Sequence, residues 1–395
     1  MNRRKFLSAA ACGCSALVPG SLFGGSLQAR MSPGFRPEPA SDENGLWDQF
    51  VKQERELKRS RFLIKDPELN AYVAAIACKV AGDFCHDLRV YLVRSPYFNA
   101  TMAPNGMMQV WSGCLLRCQS EAQLAAILGH EVGHYLRRHG VERFRDAQQK
   151  SAFSTLLGLG LSVAGGGIGR FAALGDAFIL ASSFAFTRDQ EREADTMGLD
   201  LCSGAGFDPE EAANVWAHLI AERNARENQG FRDLVFATHP VEEEREETLR
   251  GLAKGMPGCG DPARRGRDRY LHMLRRERAS FFADELKLRD YGASLALFER
   301  MLETDKDDLE VAFNLGEVYR LRAREGDDTK ALESFQRLAG LPKAPAETWR
   351  SLGLVRRARG EGSEAAQAFA RYLELKPKAD DAAIIRTYID SGRTS

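Results

Sequence analysis

Residues 129–140, GHEVGHYLRRHG, place three histidines and a glutamate within ten residues of one another. Residues four apart share a face of a helix, so His130 and His134 could bind one metal ion together. Glu131 follows about 100° around the helix, within reach of a water held by that ion. This HExxH pattern predicts a zinc site in which the glutamate acts as general base. The alternative is an ordinary amphipathic helix whose histidines are structural.

Two histidines do not complete a zinc site, and residues 187–202, TRDQEREADTMGLDLC, are the candidate source of a third ligand. Glu191 and Asp195 lie one turn apart on a single stripe of the helix that these residues predict. The small Ala194 and Gly198 on the same stripe would allow close packing against the HExxH helix. Asp195 could then orient a ligand histidine from behind. The alternative is a charged face that only contacts solvent.

The sequence also predicts where the HExxH helix begins and ends. Ser120 and Gln123 form a capping box at its start. Gly140 stands where a C-terminal cap is expected. His139, in the predicted last turn, would then interact with the helix dipole rather than with the metal.

The residues that precede this helix predict a small sheet. Residues 89–95, RVYLVRS, alternate and are rich in β-forming side chains. Asn105-Gly106 lies between two short apolar runs, which is a hairpin signal. Residues from about 46 to 82 have helical periodicity. The predicted fold class is therefore mainly α with a small β-sheet.

From about residue 279 the chain consists of charged helical repeats, and two units match the tetratricopeptide pattern. The first unit carries Leu315, Gly316, Tyr319, Ala331 and Phe335. The second carries Trp349, Leu352, Gly353, Ala365, Phe369 and Pro377. These units predict an α-solenoid of tetratricopeptide repeats over residues 261–395. A generic helical bundle is the alternative.

Residues 1–30 predict an export signal that is removed in the mature protein. The basic residues 3–5 precede a short apolar run over residues 6–18, which resembles a twin-arginine signal. A Sec signal and a retained anchor are two alternatives. A lipid anchor attached at Cys12 or Cys14 is a third alternative. Residues 31–45 predict a linker, because their start is rich in proline, serine and glycine.

Composition narrows the possible partners. Basic and acidic residues are equal in number, 55 of each, which argues against a nucleic-acid-binding protein. Residues 152–182 are apolar, but glycines and Arg170 interrupt them. That interruption favours a helix–loop–helix, buried or in peripheral contact with a membrane, over a transmembrane span. The pairing of the six cysteines after the export signal stays open.

Residues 60–250 resemble the zinc metallopeptidase family that includes HtpX and the CAAX prenyl proteases. The matching segments are 66–81, 99–116, 121–139, 187–195 and 238–245. With its export signal and repeats, the chain most resembles the periplasmic β-barrel assembly-enhancing type of that family. The resemblance implies an HExxH zincin-type domain over residues 46–260, with one zinc ion per chain. It also implies that Glu191 is the third zinc ligand and that Asp195 is the aspartate of the ExxAD motif.

The THP element, residues 238–240, is similar to a family loop whose histidine can reach the zinc. His239 would be that residue and would hold the enzyme latent, although a surface histidine is the alternative. Arg245 matches an arginine of the same element and could stabilise the tetrahedral oxyanion.

The strand that borders the substrate cleft in that family corresponds to Asn99, Ala100, Thr101 and Met102. An extended substrate could add to this strand by β-augmentation. Asn105 stands where the family commonly has glycine, and asparagine also suits a tight turn.

These observations predict a zinc-dependent endopeptidase in the periplasm that cleaves misfolded or stalled envelope proteins. Its repeats would bind protein clients or outer-membrane assembly machinery. A second hypothesis is a mostly latent protease that acts as a repeat-based chaperone or scaffold. A third is a repeat adaptor without a metal.

Overall fold

The computed structural model describes residues 27–149, 186–226, 239 and 243–392. Three predicted features lie wholly or partly outside the described residues: residues 1–26 of the predicted export signal, the apolar segment 152–182, and the Thr238 and Pro240 neighbours of His239. Among the helices that the structure describes, none is long and apolar enough to cross a lipid bilayer.

The described part of the chain is mainly helical, with one small sheet. Its first half contains α1 (Asp42–Lys58), α2 (Pro67–Ala81), β1 (Arg89–Val93), β2 (Ala100–Met102), β3 (Met107–Trp111), α3 (Ser112–Arg117), α4 (Glu121–Leu136), α5 (His139–Gln149), α6 (Arg188–Gly204), α7 (Glu210–Asn224) and α8 (Glu243–Ala253). There follow α9 (Arg267–Leu274), α10 (Arg278–Leu288), α11 (Tyr291–Thr304), α12 (Leu309–Arg322), α13 (Asp327–Ala339), α14 (Ala346–Ala358), α15 (Gly362–Leu375) and α16 (Ala382–Gly392).

The sheet has the strand order β1-β3-β2, so that β2 is an edge strand. β1 runs parallel to β3, and β2 pairs with β3 in an antiparallel hairpin. The hairpin turns at Asn105-Gly106, where Gly106 has φ of +84°. A Cβ at Gly106 would lie 2.1 Å from the carbonyl oxygen of Asp87, so only glycine fits there. The predicted strand and hairpin are therefore confirmed.

The helical region before the sheet differs from the prediction. It begins before residue 46, because α1 starts at Asp42, where the Ser41 side chain accepts a hydrogen bond from the backbone amide of Asn44. It also consists of two helices, α1 and α2, rather than one. Between α1 and α2, Leu63 forms an isolated antiparallel bridge with Val93 at the end of β1. Backbone pairing with the sheet thus interrupts the helix.

The HExxH helix, α4, begins as predicted and ends earlier than predicted. The Ser120 hydroxyl accepts from the backbone amide of Gln123 at 3.1 Å. The predicted cap at Gly140 is wrong, because α4 ends at Leu136 and Arg138 takes the left-handed conformation with φ of +62°. A new helix, α5, begins at His139 and includes Gly140.

One large apolar core lies under the sheet, α2, α4 and α6, and it continues into the later helices. Tyr270, Phe281, Phe298 and Val311 belong to the same cluster of buried side chains as Leu128 in α4. The described helices on the two sides of residue 260 therefore share a core. From α11 to α16, each helix packs against the next one in the chain.

Among the described cysteines, Cys78 at the end of α2 is disulfide-bonded to Cys85 seven residues later. Cys114, Cys118 and Cys202 are buried free thiols. This disulfide answers part of the pairing that the sequence leaves open.

Candidate metal centre

Helices α4 and α6 approach each other almost backbone to backbone. A Cβ at Gly198 would lie 2.8 Å from the backbone nitrogen of His130, and one at Gly133 would lie 2.8 Å from the carbonyl oxygen of Ala194. The small residues predicted for this contact are therefore the ones that form it. The close approach sets the position of the Glu191 carboxylate relative to the HExxH side chains.

Four side chains from three segments meet at this contact: His130, His134, Glu191 and His239. Each offers one ligand atom, and those four atoms lie within 4.8 Å of one another. The Nε2 atoms of His130 and His134 are 3.0 Å apart, and Nε2 of His134 is 3.4 Å from Oε1 of Glu191. The structure thus brings together the two predicted histidines, the predicted third ligand and the predicted regulatory histidine.

Asp195 and Arg245 contact two members of this group, His130 and Glu191, without belonging to the four-residue cluster. Nδ1 of His130, the ring nitrogen that faces away from the cluster, lies 2.9 Å from Oδ1 of Asp195. Arg245 donates to both carboxylate oxygens of Asp195 at 2.7 Å and forms an ion pair with Oε2 of Glu191 at 2.8 Å. Its guanidinium also stacks on the Trp216 ring, 3.9 Å from the ring centroid. Asp195 and Arg245 therefore hold His130 and Glu191 in place.

His139 is a member of the centre that the sequence reasoning missed. The predicted dipole role is wrong, because the early end of α4 turns this side chain inward, where it is fully buried. Its Nδ1 lies 2.9 Å from Nδ1 of His134, and its Nε2 lies 3.3 Å from Oε2 of Glu193. No spacing rule for one continuous helix could indicate this contact, since it depends on the left-handed residue Arg138.

Glu131 is buried beside the cluster. Burial raises the pKa of Glu131, an effect that the nearby His239 and His130 oppose. The backbone amide of Met102 in β2 also donates a hydrogen bond to its carboxylate. A carboxyl group with a raised pKa is suited to take up a proton from a reacting water.

His239 lies between the other members of the group. Its Nδ1 is 2.9 Å from Oε1 of Glu191 and 3.3 Å from Nε2 of His130, and its Nε2 is 3.7 Å from Oε1 of Glu131. It is buried, with 3% of its surface exposed, so it is not a surface histidine. The position brings it next to both the ligand set and the candidate base.

The chemistry of this group fits a bound metal cation. Burial lowers the pKa of His134 well below its usual value, which leaves a neutral imidazole free to bind a metal. Burial opposes ionisation of Glu191, but His239, His134 and His130 outweigh it and hold the pKa well below normal. Imidazole nitrogens beside an ionised carboxylate are a nitrogen and oxygen donor set that suits zinc.

The predicted substrate strand borders the same group. Ala100, Thr101 and Met102 form β2, and Asn99 immediately precedes it. The backbone oxygen of Asn99 accepts from the amide of Trp111 in β3, whereas the side-chain amide of Asn99 is buried without a hydrogen-bond partner among the described residues. β2 packs against α4, so its open edge lies beside Glu131.

Comparison with known proteins adds an independent finding. Residues 63–253 match the model of peptidase family M48. The chain is 34% identical over 169 residues to mitochondrial metalloendopeptidase OMA1 of Schizosaccharomyces pombe, covering 42% of this chain and 46% of that relative. It is 29% identical over 222 residues to the β-barrel assembly-enhancing protease of Escherichia coli K12, covering 54% and 44%.

The β-barrel assembly-enhancing protease of Yersinia pestis is 28% identical over 254 residues, which cover 62% of this chain and 50% of that relative. The chain therefore spans half or less of the length of these curated relatives.

Proposed function

Because residues 63–253 of this chain are a peptidase family M48 domain, we propose that the protein is a zinc-dependent endopeptidase. We propose His130, His134 and Glu191 as the zinc ligands and Glu131 as the general base. The observation that carries this proposal is the meeting of the three ligand side chains, although Glu191 follows His134 by 57 residues in sequence. Their ligand atoms lie within 4.8 Å of one another. The metalloendopeptidase name of one relative supports it.

A bound zinc ion would lower the pKa of a water and polarise the carbonyl of the scissile peptide bond. Glu131 would take the proton from that water and pass it to the leaving amine. The Met102 amide would keep the Glu131 carboxylate pointed toward the cleft. Asp195 would hold His130 in the tautomer that presents Nε2 to the metal.

Two roles are proposed for Arg245. The sequence suggests that it stabilises the tetrahedral oxyanion. Its contacts with Asp195 and Glu191 favour a positioning role, since both carboxylates already occupy its guanidinium. An Arg245→Lys substitution would separate the two roles: a lost oxyanion contact lowers kcat with zinc retained, whereas lost positioning also lowers zinc affinity.

Glu131→Gln tests the endopeptidase proposal. Purified wild type and variant are compared for zinc content by elemental analysis and for cleavage of casein or another unfolded protein. We expect full zinc content and a loss of cleavage of at least ~100-fold, the range of general base catalysis. Glu121→Gln, at the other end of α4, is the matched control. Unchanged cleavage by Glu131→Gln would refute the proposal.

The C-terminal helices support an array of tetratricopeptide repeats. Gly316 in α12 packs against the ring of Phe335 in α13, where an added Cβ would lie 2.7 Å from the ring. Gly353 in α14 packs in the same way against Phe369 in α15, at 2.6 Å. The same glycine–phenylalanine contact recurs in two successive helix pairs, as a structural repeat requires. We propose that residues 261–395 are this repeat domain, joined to a protease domain over residues 46–260.

The proposed location is the periplasm, after export through the twin-arginine-like signal in residues 1–30. There the protease would cleave misfolded or stalled envelope proteins, and the repeats would bind clients or outer-membrane assembly machinery. The name of the Escherichia coli relative, a β-barrel assembly-enhancing protease, supports this direction. Identification of proteins trapped by Glu131→Gln in vivo tests it, with Glu121→Gln as the control.

A second candidate function is a mostly latent protease that acts as a repeat-based scaffold. The position of His239 favours it, because this side chain contacts Glu191 and His130 and could act as a fourth ligand that closes the site. Client binding that survives deletion of residues 327–392 would refute the scaffold.

A further inference from the structure

Residues 31–36, the amino-terminal strap, are fastened to the part of the fold that carries the metal centre. The strap follows the predicted export signal, so it stays in the chain when residues 1–30 are removed. The backbone amide of Gly34 donates to both carboxylate oxygens of Asp87, at 3.1 and 2.9 Å. Met31 packs against the large apolar core to which α4 contributes. These contacts fix the strap at two points.

Phe35 of the strap lies against Arg138, the residue at the junction of α4 and α5. The Arg138 guanidinium is stacked over the Phe35 ring, 4.5 Å from the ring centroid. The Phe35 ring in turn packs edge-on against Trp47 of α1, with the two centroids 6.4 Å apart. Arg138 also forms an ion pair with Glu43 of α1. A ring and a carboxylate therefore hold the Arg138 side chain together.

The backbone at Arg138 requires such support. Its φ of +62° lies in the left-handed region, which is unfavourable for a residue with a Cβ and persists only where surrounding contacts favour it. The Arg138 carbonyl accepts the backbone amides of Val141 and Glu142, each at 3.1 Å, and this is how α5 begins. The next residue, His139, is thereby turned toward His134. The orientation of His139 thus depends on the conformation of Arg138.

The strap also reaches the surroundings of a proposed metal ligand. Met31, Arg138 and His134 line one hollow of about 340 Å³, counting its open side. Glu43 and Phe186 line the same hollow. The strap, the left-handed residue and the proposed ligand His134 therefore border one common space.

We infer that Phe35 is a positioning residue for the metal centre, since it holds Arg138 in the conformation that keeps His139 against His134. The inference rests on the proposed zinc site and extends it to a residue 95 positions before His130. Phe35 acts through Arg138 and His139 rather than by binding the metal. Because Glu43 supports the same arginine from α1, removal of the Phe35 ring weakens the arrangement without abolishing it.

Zinc affinity tests the inference. Wild type, Phe35→Ala and Phe35→Tyr are compared by competition with a chromogenic chelator. We expect Phe35→Ala to bind zinc at least ~3-fold more weakly, the size expected for loss of a cation–π contact. Phe35→Tyr keeps the ring face and should bind zinc as tightly as wild type. Wild-type affinity in Phe35→Ala would overturn the inference.

Tyr388→Ala is the matched control. Arg357 lies over the Tyr388 ring, 3.8 Å from its centroid, so this substitution also removes a ring stacked under an arginine. Tyr388 belongs to α16, the last helix that the structure describes, which packs against α15. We expect zinc affinity equal to that of wild type. A loss as large as that in Phe35→Ala would attribute the effect to general destabilisation and overturn the inference.

Two double variants test the route from Phe35 to the centre. His139→Ala already breaks the route, so addition of Phe35→Ala should not weaken zinc binding further. In Arg138→Gly the left-handed conformation no longer needs side-chain contacts, because glycine adopts it freely. Addition of Phe35→Ala should again leave zinc affinity unchanged. A full additional loss in either background would show that Phe35 does not act through these residues and would overturn the inference.

Hydrogen exchange separates this inference from the proposed function, because it needs no metal. The amides of Val141 and Glu142 are bonded to the Arg138 carbonyl and report on its conformation. We expect them to exchange at least ~3-fold faster in metal-free Phe35→Ala than in metal-free wild type, with amides of α2 unchanged. Equal exchange would overturn the inference. Faster exchange, in a protein whose wild type binds no zinc, would refute the zinc site and leave the role of Phe35 in holding His139 standing.

Discussion

Nδ1 of His139 lies 2.9 Å from Nδ1 of His134, and Nε2 of His139 lies 3.3 Å from the carboxylate of Glu193. The ring of His134 is therefore held through the nitrogen that faces away from the cluster, just as Asp195 holds His130. Both proposed histidine ligands thus have a partner that fixes their orientation. Such partners commonly affect metal affinity as well as activity.

We predict that His139→Ala weakens zinc binding by about 10- to 100-fold, the usual effect of removing a group that orients a ligand. Zinc affinity is measured by competition with a chromogenic chelator. His139→Asn keeps a side chain that can hydrogen-bond His134 and should restore part of the affinity. Wild-type affinity in His139→Ala would show that His139 has no positioning role.

We predict that Gly198→Ala destabilises the protein by about 1–3 kcal/mol, as overpacking of a close contact does. The new Cβ would lie 2.8 Å from the backbone nitrogen of His130 and would force α4 and α6 apart. Zinc affinity should fall as well, because Glu191 moves with α6. Urea denaturation and zinc titration measure the two effects.

Gly204→Ala is the control for that substitution. It lies at the end of the same helix, where an added Cβ meets nothing within 4 Å. We expect stability to stay the same or to rise by up to about 1 kcal/mol, since alanine favours helix more than glycine does. Equal destabilisation by both substitutions would argue against the close helix contact.

We predict that His239→Ala increases cleavage of unfolded protein while zinc stays bound. Removing this imidazole opens the space beside Glu191 and Glu131 that a substrate carbonyl and water require. The measurements are initial rates with a fluorogenic unfolded substrate and elemental analysis. Rates equal to those of wild type would rule out latency through His239, and His86→Ala, an exposed histidine, is the control.

We predict that His218 makes the fold less stable in mild acid. Burial, together with the nearby Arg300 guanidinium, lowers the pKa of His218 to about 4. The unfolded chain binds this proton near pH 6.5, so between pH 6.5 and pH 4 the unfolded state binds more protons than the folded state. The stability contributed above pH 6.5 is therefore lost as the pH falls through that window.

The size of this effect at pH 5 is about 2 kcal/mol. His218→Gln cannot titrate, so its loss of stability between pH 7 and pH 5 should be smaller than that of wild type by this amount. Urea denaturation at both pH values measures it, with His86→Gln as the control. An equal loss in His218→Gln and wild type would contradict the prediction.

Local sequence accounts for much of the centre. Helical periodicity places His130 and His134 on one face whatever the rest of the chain does. A capping box formed by Thr187 and Gln190, four residues within one local segment, starts α6, and both of its hydrogen bonds are present. Ala194 and Gly198 lie where α4 leaves no space for larger side chains. Their small size, which permits this contact, can be read directly from the sequence.

Periodicity could not reveal how the segments approach one another. The inward turn of His139 depends on the left-handed backbone at Arg138, which a non-glycine residue adopts only where surrounding contacts favour it. Arg138 hydrogen-bonds to Glu43 of α1, a residue 95 positions earlier. The common core on both sides of residue 260 has the same origin, because Tyr270 and Phe298 are buried by side chains distant in sequence.

The sequence by itself therefore determined the ligand types, the helices that carry them and the hairpin beside them, because these follow from interactions between near neighbours. Only the tertiary structure decided that His239 enters the centre, that His139 holds His134, and that Phe35 contacts Arg138. Those features arise from packing between segments far apart in the chain, where burial and steric contact act on the whole fold at once.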